Sequence, residues 1–185
     1  MRSKILKVLL ITTLTIASIT LLSHNTHADT VMRSHPDYQQ SSEIMPYPDI
    51  KEVKDLNVLV EIKQNRVFIR DNQHIIYAMY CSAGETDPNT QKSYTPTGHF
   101  VIQPEHGDNF YNYDLKEGAN YWTSFKDHGL YLFHTVPINQ DGSYKSKPAK
   151  LLGQKPDSHG CIRLSIPDAK FIQTLPVGTP VTVKE

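Results

Sequence analysis

The chain has 185 residues, 19 basic and 19 acidic side chains, and a hydrophobic fraction of 38%. That length fits one domain with a tail, and a mean hydropathy of −0.43 excludes a protein that spans a membrane many times. The neutral balance argues against nonspecific nucleic-acid binding, and two cysteines are too few for a disulfide-stapled miniprotein or a four-thiolate zinc site.

Residues 1–28 predict a secretory signal peptide. Three basic residues, Arg2, Lys4 and Lys7, precede an uncharged apolar run at residues 8–22, and the segment ends in the small residue Ala28. This run of 15 residues is shorter than the roughly 20 that a spanning helix needs, and an uncleaved N-terminal membrane anchor is the alternative. Without the leader the net charge is −3, so we expect a mildly acidic domain that is secreted and lies outside the cytoplasmic membrane.

Residues 29–56 predict a linker, because serines, prolines and charges occur there without an apolar period. The following residues, 57–185, predict one domain. Val58, Val60 and Ile62 alternate with other side chains, as in a strand. Further strands are predicted at residues 66–70, 74–81, 100–102, 130–134 and 179–184.

One helix is predicted after a capping box formed by Ser165 and Asp168. Many strands and one late helix indicate a mostly β fold, a sandwich or barrel with one or two short helices.

Aromatic residues cluster between residues 110 and 122. Tyr113 and Trp122 fit a lid over a bound peptide, because such side chains combine contact area with a polar tip. They fit ordinary core and surface positions equally well.

The apolar run at residues 130–134 ends in His134. A histidine held at the end of a buried strand suits a general base, and the Thr135 carbonyl could accept from one imidazole nitrogen and fix the tautomer. Alone, His134 would equally fit a core histidine with a satisfied hydrogen bond.

The densest chemical signal is Ser-His-Gly-Cys-Ile-Arg-Leu at residues 158–164. A nucleophilic Cys161 needs a base and backbone donors for the oxyanion. Gly160 permits a tight turn and would leave its own amide and that of Cys161 room to approach a ligand. His159 is a second candidate base beside His134.

This motif, His134 and the Thr-Pro-Thr-Gly segment at residues 95–98 together resemble the L,D-transpeptidase catalytic domain, the YkuD-like fold, over about residues 57–184. The resemblance implies that Cys161 is the nucleophile and His134 the proton donor and acceptor. It also implies that His159 and Gly160 line the site and shape the oxyanion hole.

The implied reaction acts on the tetrapeptide stems of peptidoglycan. The Cys161 thiolate attacks the amide before the terminal D-Ala, and an amine of another stem resolves the thioester to give a 3→3 cross-link. Arg163 is expected near the substrate's carboxylates, and Ser158, Tyr113 and Trp122 are also expected to contact substrate. No metal or other cofactor and no nucleic acid is expected, and the N-terminal segment could contact membrane or wall transiently.

The spacing of 27 residues between His134 and Cys161 departs from the commonest family pattern, which is shorter. The additional length, about residues 138–155, contains a turn and four lysines and predicts a surface loop beside the site. The lysines fit a solvated face or contacts with acidic stem peptides and anionic wall polymers.

Other interpretations stay open at this point. An L,D-carboxypeptidase would use water as acceptor, a sortase-like transpeptidase would need Thr where Gly160 stands, and a wall-binding module would carry a vestigial site. Cys161 could form a disulfide with Cys81, although Cys81 ends an apolar run and fits a small core residue. A zinc site of Cys161, His134 and His159 lacks a fourth ligand.

Overall fold

The computed structural model describes residues 31–185. The signal peptide predicted for residues 1–28 therefore lies outside the described residues. Among residues 31–185, no helix is long and apolar enough to cross a bilayer.

Two β-sheets form the body of the domain. The first has five strands in the order β3-β2-β1-β9-β4, which are β1 Leu56–Glu61, β2 Arg66–Asp71, β3 His74–Tyr80, β4 Gly98–Val101 and β9 Pro180–Lys184. The second has four strands in sequence order, β5 His106–Asn112, β6 Glu117–Lys126, β7 Tyr131–Thr135 and β8 Ile162–Leu164. Two short helices, α1 Ser146–Leu151 and α2 Ile166–Gln173, and a 3₁₀ turn, Ile50–Glu52, complete it. The predicted mostly β fold is confirmed.

The core lies between the two sheets and is closed by α2. The predicted alternation in β1 holds, because Val58 and Val60 are fully buried in this core together with Phe125 and Phe133 of the second sheet. Each such side chain contributes about 1.5–3 kcal/mol when it is fully buried. Leu59 points to the other face of the first sheet and packs in a smaller cluster.

The predicted capping box starts α2. The Ser165 hydroxyl accepts from the Asp168 amide at 3.2 Å and donates to the Asp168 carboxylate at 2.7 Å. Ala169 and Ile172 of this helix are fully buried. Because β8 runs directly into α2, the helix fixes one end of the strand that follows Cys161.

Residues 31–55, here called the N-terminal strap, pack on the domain. They belong to the segment that the sequence predicted as a linker, but β3 is an edge strand with backbone amides that need partners. The Glu43 carboxylate accepts from the Ala78 amide at 2.7 Å, and the Ser42 hydroxyl accepts from the Tyr80 amide at 2.8 Å. The strap therefore covers the sheet edge with side chains in place of a further strand.

The strap is also tied to α2 through the buried Asp168. Ser42 donates to this carboxylate at 2.6 Å and Tyr47 at 2.8 Å, and the Tyr47 ring stacks on Phe171 at 4.5 Å. Burial raises the pKa of Asp168, while its hydrogen bonds to hydroxyl groups oppose that rise.

Three strands and one helix are absent from the sequence prediction. β5 and β6 carry polar and aromatic residues with no clean alternation, β8 is only three residues long, and α1 lies in the segment predicted as a loop. In α1 the N-cap position is Lys145, which makes no side-chain capping bond, so the usual start signal is missing.

Candidate active site

Cys161 directly precedes β8, and β8 pairs in parallel with β7, the strand that carries His134. The register pairs Phe133 with Ile162 and His134 with Arg163, so Cys161, which lies 27 residues after His134 in sequence, stands at the start of the strand beside the one that carries His134. Cys161 and His134 line one cavity of about 470 Å³, together with His159 and Ser158. The structure therefore brings the predicted nucleophile and the predicted base to the same site.

His134 is buried and oriented by the backbone. Its Nδ1 lies 2.6 Å from the Thr135 carbonyl oxygen, and because a carbonyl only accepts, Nδ1 must carry the proton. This is the contact that the sequence predicted, and it leaves Nε2 as the proton acceptor. Burial lowers the pKa of His134 to about 4, with a smaller contribution in the same direction from the nearby Arg163 cation. The imidazole is therefore neutral near pH 7.

The Cys161 thiol is partly exposed, and its sulfur lies 3.8 Å from the Leu130 carbonyl oxygen. Burial raises the pKa of this thiol, whereas the Leu132 backbone and the Arg163 cation lower it. A raised thiol pKa and a lowered imidazole pKa both favour the neutral forms at rest. Proton transfer from sulfur to His134 must therefore accompany attack on a substrate.

A network of hydroxyl groups holds the turn before Cys161. The Ser158 hydroxyl donates to the Cys161 carbonyl at 2.6 Å and accepts from the Gly160 amide at 3.0 Å. Thr95, from the Thr-Pro-Thr-Gly segment, donates to the Gly160 carbonyl at 2.8 Å. The upstream motif thus supports the turn that carries the thiol.

Gly160 is required by both conformation and space. Its φ is +137°, and an added Cβ would lie 3.0 Å from the Tyr131 ring. Its amide, which the sequence offered as an oxyanion donor, is already bonded to Ser158. Gly160 therefore shapes the loop, and its amide is not a free donor in this conformation.

Arg163 lies in a buried ion-pair network. One terminal nitrogen contacts the Asp157 carboxylate at 2.7 Å, and the other contacts the Glu117 carboxylate at 2.6 Å. The side chain is only 4% exposed. The predicted contact with a substrate carboxylate would have to compete with two carboxylates already in place. The sequence did not single out Glu117 or Asp157, because neither lies in a recognisable motif.

The hairpin of β5 and β6 forms the opposite wall of the cavity. Trp122 lines it, and Gly107 makes room for the indole, since a Cβ there would lie 2.6 Å from Trp122 Nε1. Tyr113 is 72% exposed and does not line the cavity. Phe110, which belongs to the aromatic cluster noted in the sequence, also lines the cavity. The sequence missed Leu115, which lines it as well and lies within the span of that cluster.

Both cysteines are free thiols. Cys81 is fully buried in the core between the sheets, as expected of a core residue, and burial raises its pKa to about 12. In the described range, no group of His, Cys, Asp and Glu side chains is arranged to hold a metal ion.

The family model of the L,D-transpeptidase catalytic domain matches residues 56–183 of this chain. The chain belongs to this family. The protein YciB of Bacillus subtilis (strain 168), whose name assigns it to the L,D-transpeptidases, is 41% identical over 138 residues, which are 74% of this chain and 69% of that protein. L,D-transpeptidases act on peptidoglycan of the cell wall.

Solved structures of other proteins share this fold. An L,D-transpeptidase from Mycobacterium smegmatis is 17% identical with a TM-score of 0.54, and the match covers 71% of this chain and 59% of that one. A fused Zn-dependent amidase/peptidase/peptidoglycan-binding domain-containing protein from Clostridium acetobutylicum ATCC 824 is 26% identical with a TM-score of 0.50. That match covers 82% of this chain and 65% of the other chain. This chain thus spans about six-tenths of the length of these structures.

Proposed function

We propose that this protein is an exported cysteine L,D-transpeptidase that forms 3→3 cross-links between peptidoglycan stems through a Cys161 thioester. One observation carries the proposal. A partly exposed thiol and a histidine whose Nδ1 is anchored to a carbonyl share one cavity on adjacent strands, in a chain of the L,D-transpeptidase family.

The first step forms the thioester. The Cys161 sulfur attacks the carbonyl of the third stem residue while its proton passes to His134 Nε2. The C–S bond forms, the C–N bond to the terminal D-Ala breaks, and His134 returns the proton to the leaving amine. His134 begins and ends this step neutral, which agrees with its lowered pKa.

The second step resolves the thioester. An amine of another stem attacks the same carbonyl, and His134 takes a proton from that amine and passes it to the leaving sulfur. A C–N bond replaces the C–S bond, and the thiol is restored. Water in place of the amine would give a carboxypeptidase product.

The remaining site residues have supporting roles in this proposal. Ser158 and Gly160 hold the Cys161 turn, and His159, which is exposed at the cavity, contacts substrate. Trp122 covers the stem peptide from the β5–β6 side. Arg163 positions Glu117 and Asp157, because its guanidinium is already paired with both carboxylates.

Export follows from the leader predicted for residues 1–28, which would place the domain where peptidoglycan lies. Stem peptides are the proposed partners, with transient contact to membrane or wall through the N-terminal segment. N-terminal sequencing of the protein recovered from the medium or the wall fraction tests export; a protein retained in the cytoplasm with residue 1 intact would contradict it.

The decisive experiment incubates purified residues 29–185 with tetrapeptide-stem muropeptides and follows D-Ala release by mass spectrometry. We expect D-Ala release and a cross-linked dimer from the native protein, and neither from Cys161→Ala. Release that survives the substitution would contradict the thioester route, and a trimmed monomer as the only product would assign carboxypeptidase activity.

A further inference from the structure

A second cavity, of about 500 Å³, adjoins the catalytic one, and the two share Glu117, Ser158, His159 and Arg163 as a common wall. Here it is called the polar cavity. Its outer wall comes from the additional length between His134 and Cys161, at residues 139 and 145–148, and from Glu85 on the other side.

The additional segment is pinned at both ends of this wall. Ile138 exchanges backbone hydrogen bonds with Gly118 of β6 at 2.8 and 3.1 Å. The Lys145 amide donates to the Pro137 carbonyl at 2.8 Å, and α1 begins at the next residue. The Glu85 amide donates to the Ser158 carbonyl at 2.8 Å, which sets Glu85 beside the Cys161 turn. Backbone contacts to the catalytic sheet and turn therefore define the polar cavity.

The charged side chains of the polar cavity fall into two groups. The inner four form one network in which Arg163 pairs with Asp157 and Glu117, and Lys145 lies 3.6 Å from Glu117. Two positive and two negative charges balance there.

Glu85 and Lys147 form the outer group. Both are exposed, and among the described residues neither side chain has a hydrogen bond or an ion pair with another group. The polar cavity thus offers one free negative and one free positive charge next to the cavity that holds Cys161.

We propose that the polar cavity binds the amine acceptor, and that it selects acceptors carrying a carboxylate as well as an amine. Lys147 binds the carboxylate, and Glu85 attracts the ammonium form as the acceptor enters. This inference rests on the proposed transpeptidase function and names the specificity residues of its second step.

The amine sheds its extra proton to solvent before it attacks. Its nitrogen then forms the C–N bond at the thioester carbonyl and the bond to Cys161 sulfur breaks. One of the two protons of the neutral amine passes through His134 to sulfur, and the other stays on nitrogen as the amide N–H. Lys147 takes no part in this transfer. It acts on acceptor binding, so its loss raises the acceptor KM and leaves thioester formation unchanged.

The test uses residues 29–185, a tetrapeptide-stem donor whose side-chain amine has been acetylated, and glycine or glycinamide as the acceptor. Lys147→Gln is expected to raise the KM for glycine roughly fivefold. A change of this size corresponds to the upper end of the binding free energy that an exposed ion pair contributes. Glycinamide lacks the carboxylate, so its KM should not change. Lys147→Arg should restore the native value for glycine, and Glu85→Gln should weaken both acceptors.

Lys150→Gln is the matched control, because Lys150 lies on the same helix but does not line the polar cavity. D-Ala released in a single turnover, before any acceptor is added, reports thioester formation, and its rate should match the native rate in every variant. Equal glycine KM values for Lys147→Gln and Lys150→Gln, or equal losses for glycine and glycinamide, would overturn the inference while the proposed function stands. Absence of D-Ala release from the native protein would overturn both.

Discussion

The two cysteine thiols of the domain lie in different surroundings. Cys81 lies at the end of a strand of the five-stranded sheet, whereas the four-stranded sheet places Cys161 beside His134. Cys81 follows β3, is fully buried and has no base among the side chains of its core cluster. Cys161 precedes β8, is partly exposed and shares a cavity with a histidine fixed by a carbonyl. Burial raises the pKa of both thiols, so burial alone does not distinguish them.

The difference lies in what each sheet does with polar groups. The strap covers the edge of the first sheet, and its Ser42 and Glu43 side chains accept hydrogen bonds from the backbone amides of β3. The second sheet ends at a cavity where polar side chains from β6, β7 and the Cys161 turn converge. The first sheet therefore supports the domain, and the second is organised for chemistry.

Replacing each cysteine gives the largest expected contrast. Cys161→Ala should lower D-Ala release by at least about 10³-fold, because no nucleophile remains, with little change in the free energy of unfolding. Cys81→Ala should keep its activity and lose about 1 kcal/mol of stability, because it leaves a small cavity in the core. Both are measured by product analysis and urea unfolding. A Cys81→Ala protein that is stable but inactive would break the comparison.

His134 allows the same contrast to be drawn through pH. Its folded pKa of about 4 lies below the ordinary value of 6.5, so between these two pH values the unfolded chain binds a proton that the folded chain does not. The stability contributed by the neutral imidazole is therefore present above pH 6.5 and falls as the pH drops toward 4, by as much as about 3 kcal/mol.

Urea unfolding of the native protein and of His134→Gln at pH 7 and pH 4.5 measures this effect. The loss of stability between the two pH values should be smaller in the variant, and D-Ala release at pH 7 should fall by roughly 10²–10⁴-fold. His74→Gln, at an exposed position of β3, is the matched control. Equal pH dependence in the native protein and His134→Gln would contradict the buried neutral histidine.

The strap variants give the smallest expected effect on D-Ala release. Ser42→Ala removes a hydroxyl that accepts a hydrogen bond from the Tyr80 amide and donates one to the Asp168 carboxylate. This loss should cost about 1–3 kcal/mol of stability. D-Ala release should change less than about twofold, since Ser42 does not line the catalytic cavity. Ser34→Ala, in an exposed part of the strap, should leave both quantities unchanged. A large loss of activity in folded Ser42→Ala would show that the strap acts on the site.

The strands of the first sheet were predictable because their signals are local. Alternating Val58 and Val60 are buried as their period indicates, and β2 and β3 each end within one residue of the predicted range. The Ser165 cap likewise needs only its own neighbours to start α2. β5 and β6 escaped prediction because their burial depends on partner strands and on the cavity that they border, not on a period of two.

The sequence by itself determined the chemical groups of the site: a thiol in a glycine-containing turn, a histidine at a strand end, and the carbonyl that fixes its tautomer. Only the tertiary structure decided which groups meet. Parallel pairing of β7 with β8 brings His134 to Cys161, and the fold commits the Gly160 amide and the Arg163 guanidinium to internal partners. The pairing of β7 with β8 and the contact of Arg163 with Glu117 join segments distant in sequence, which no local pattern specifies. The Gly160 amide bonds Ser158 only two residues away, but Thr95, 65 residues upstream, holds the turn that brings the two groups together.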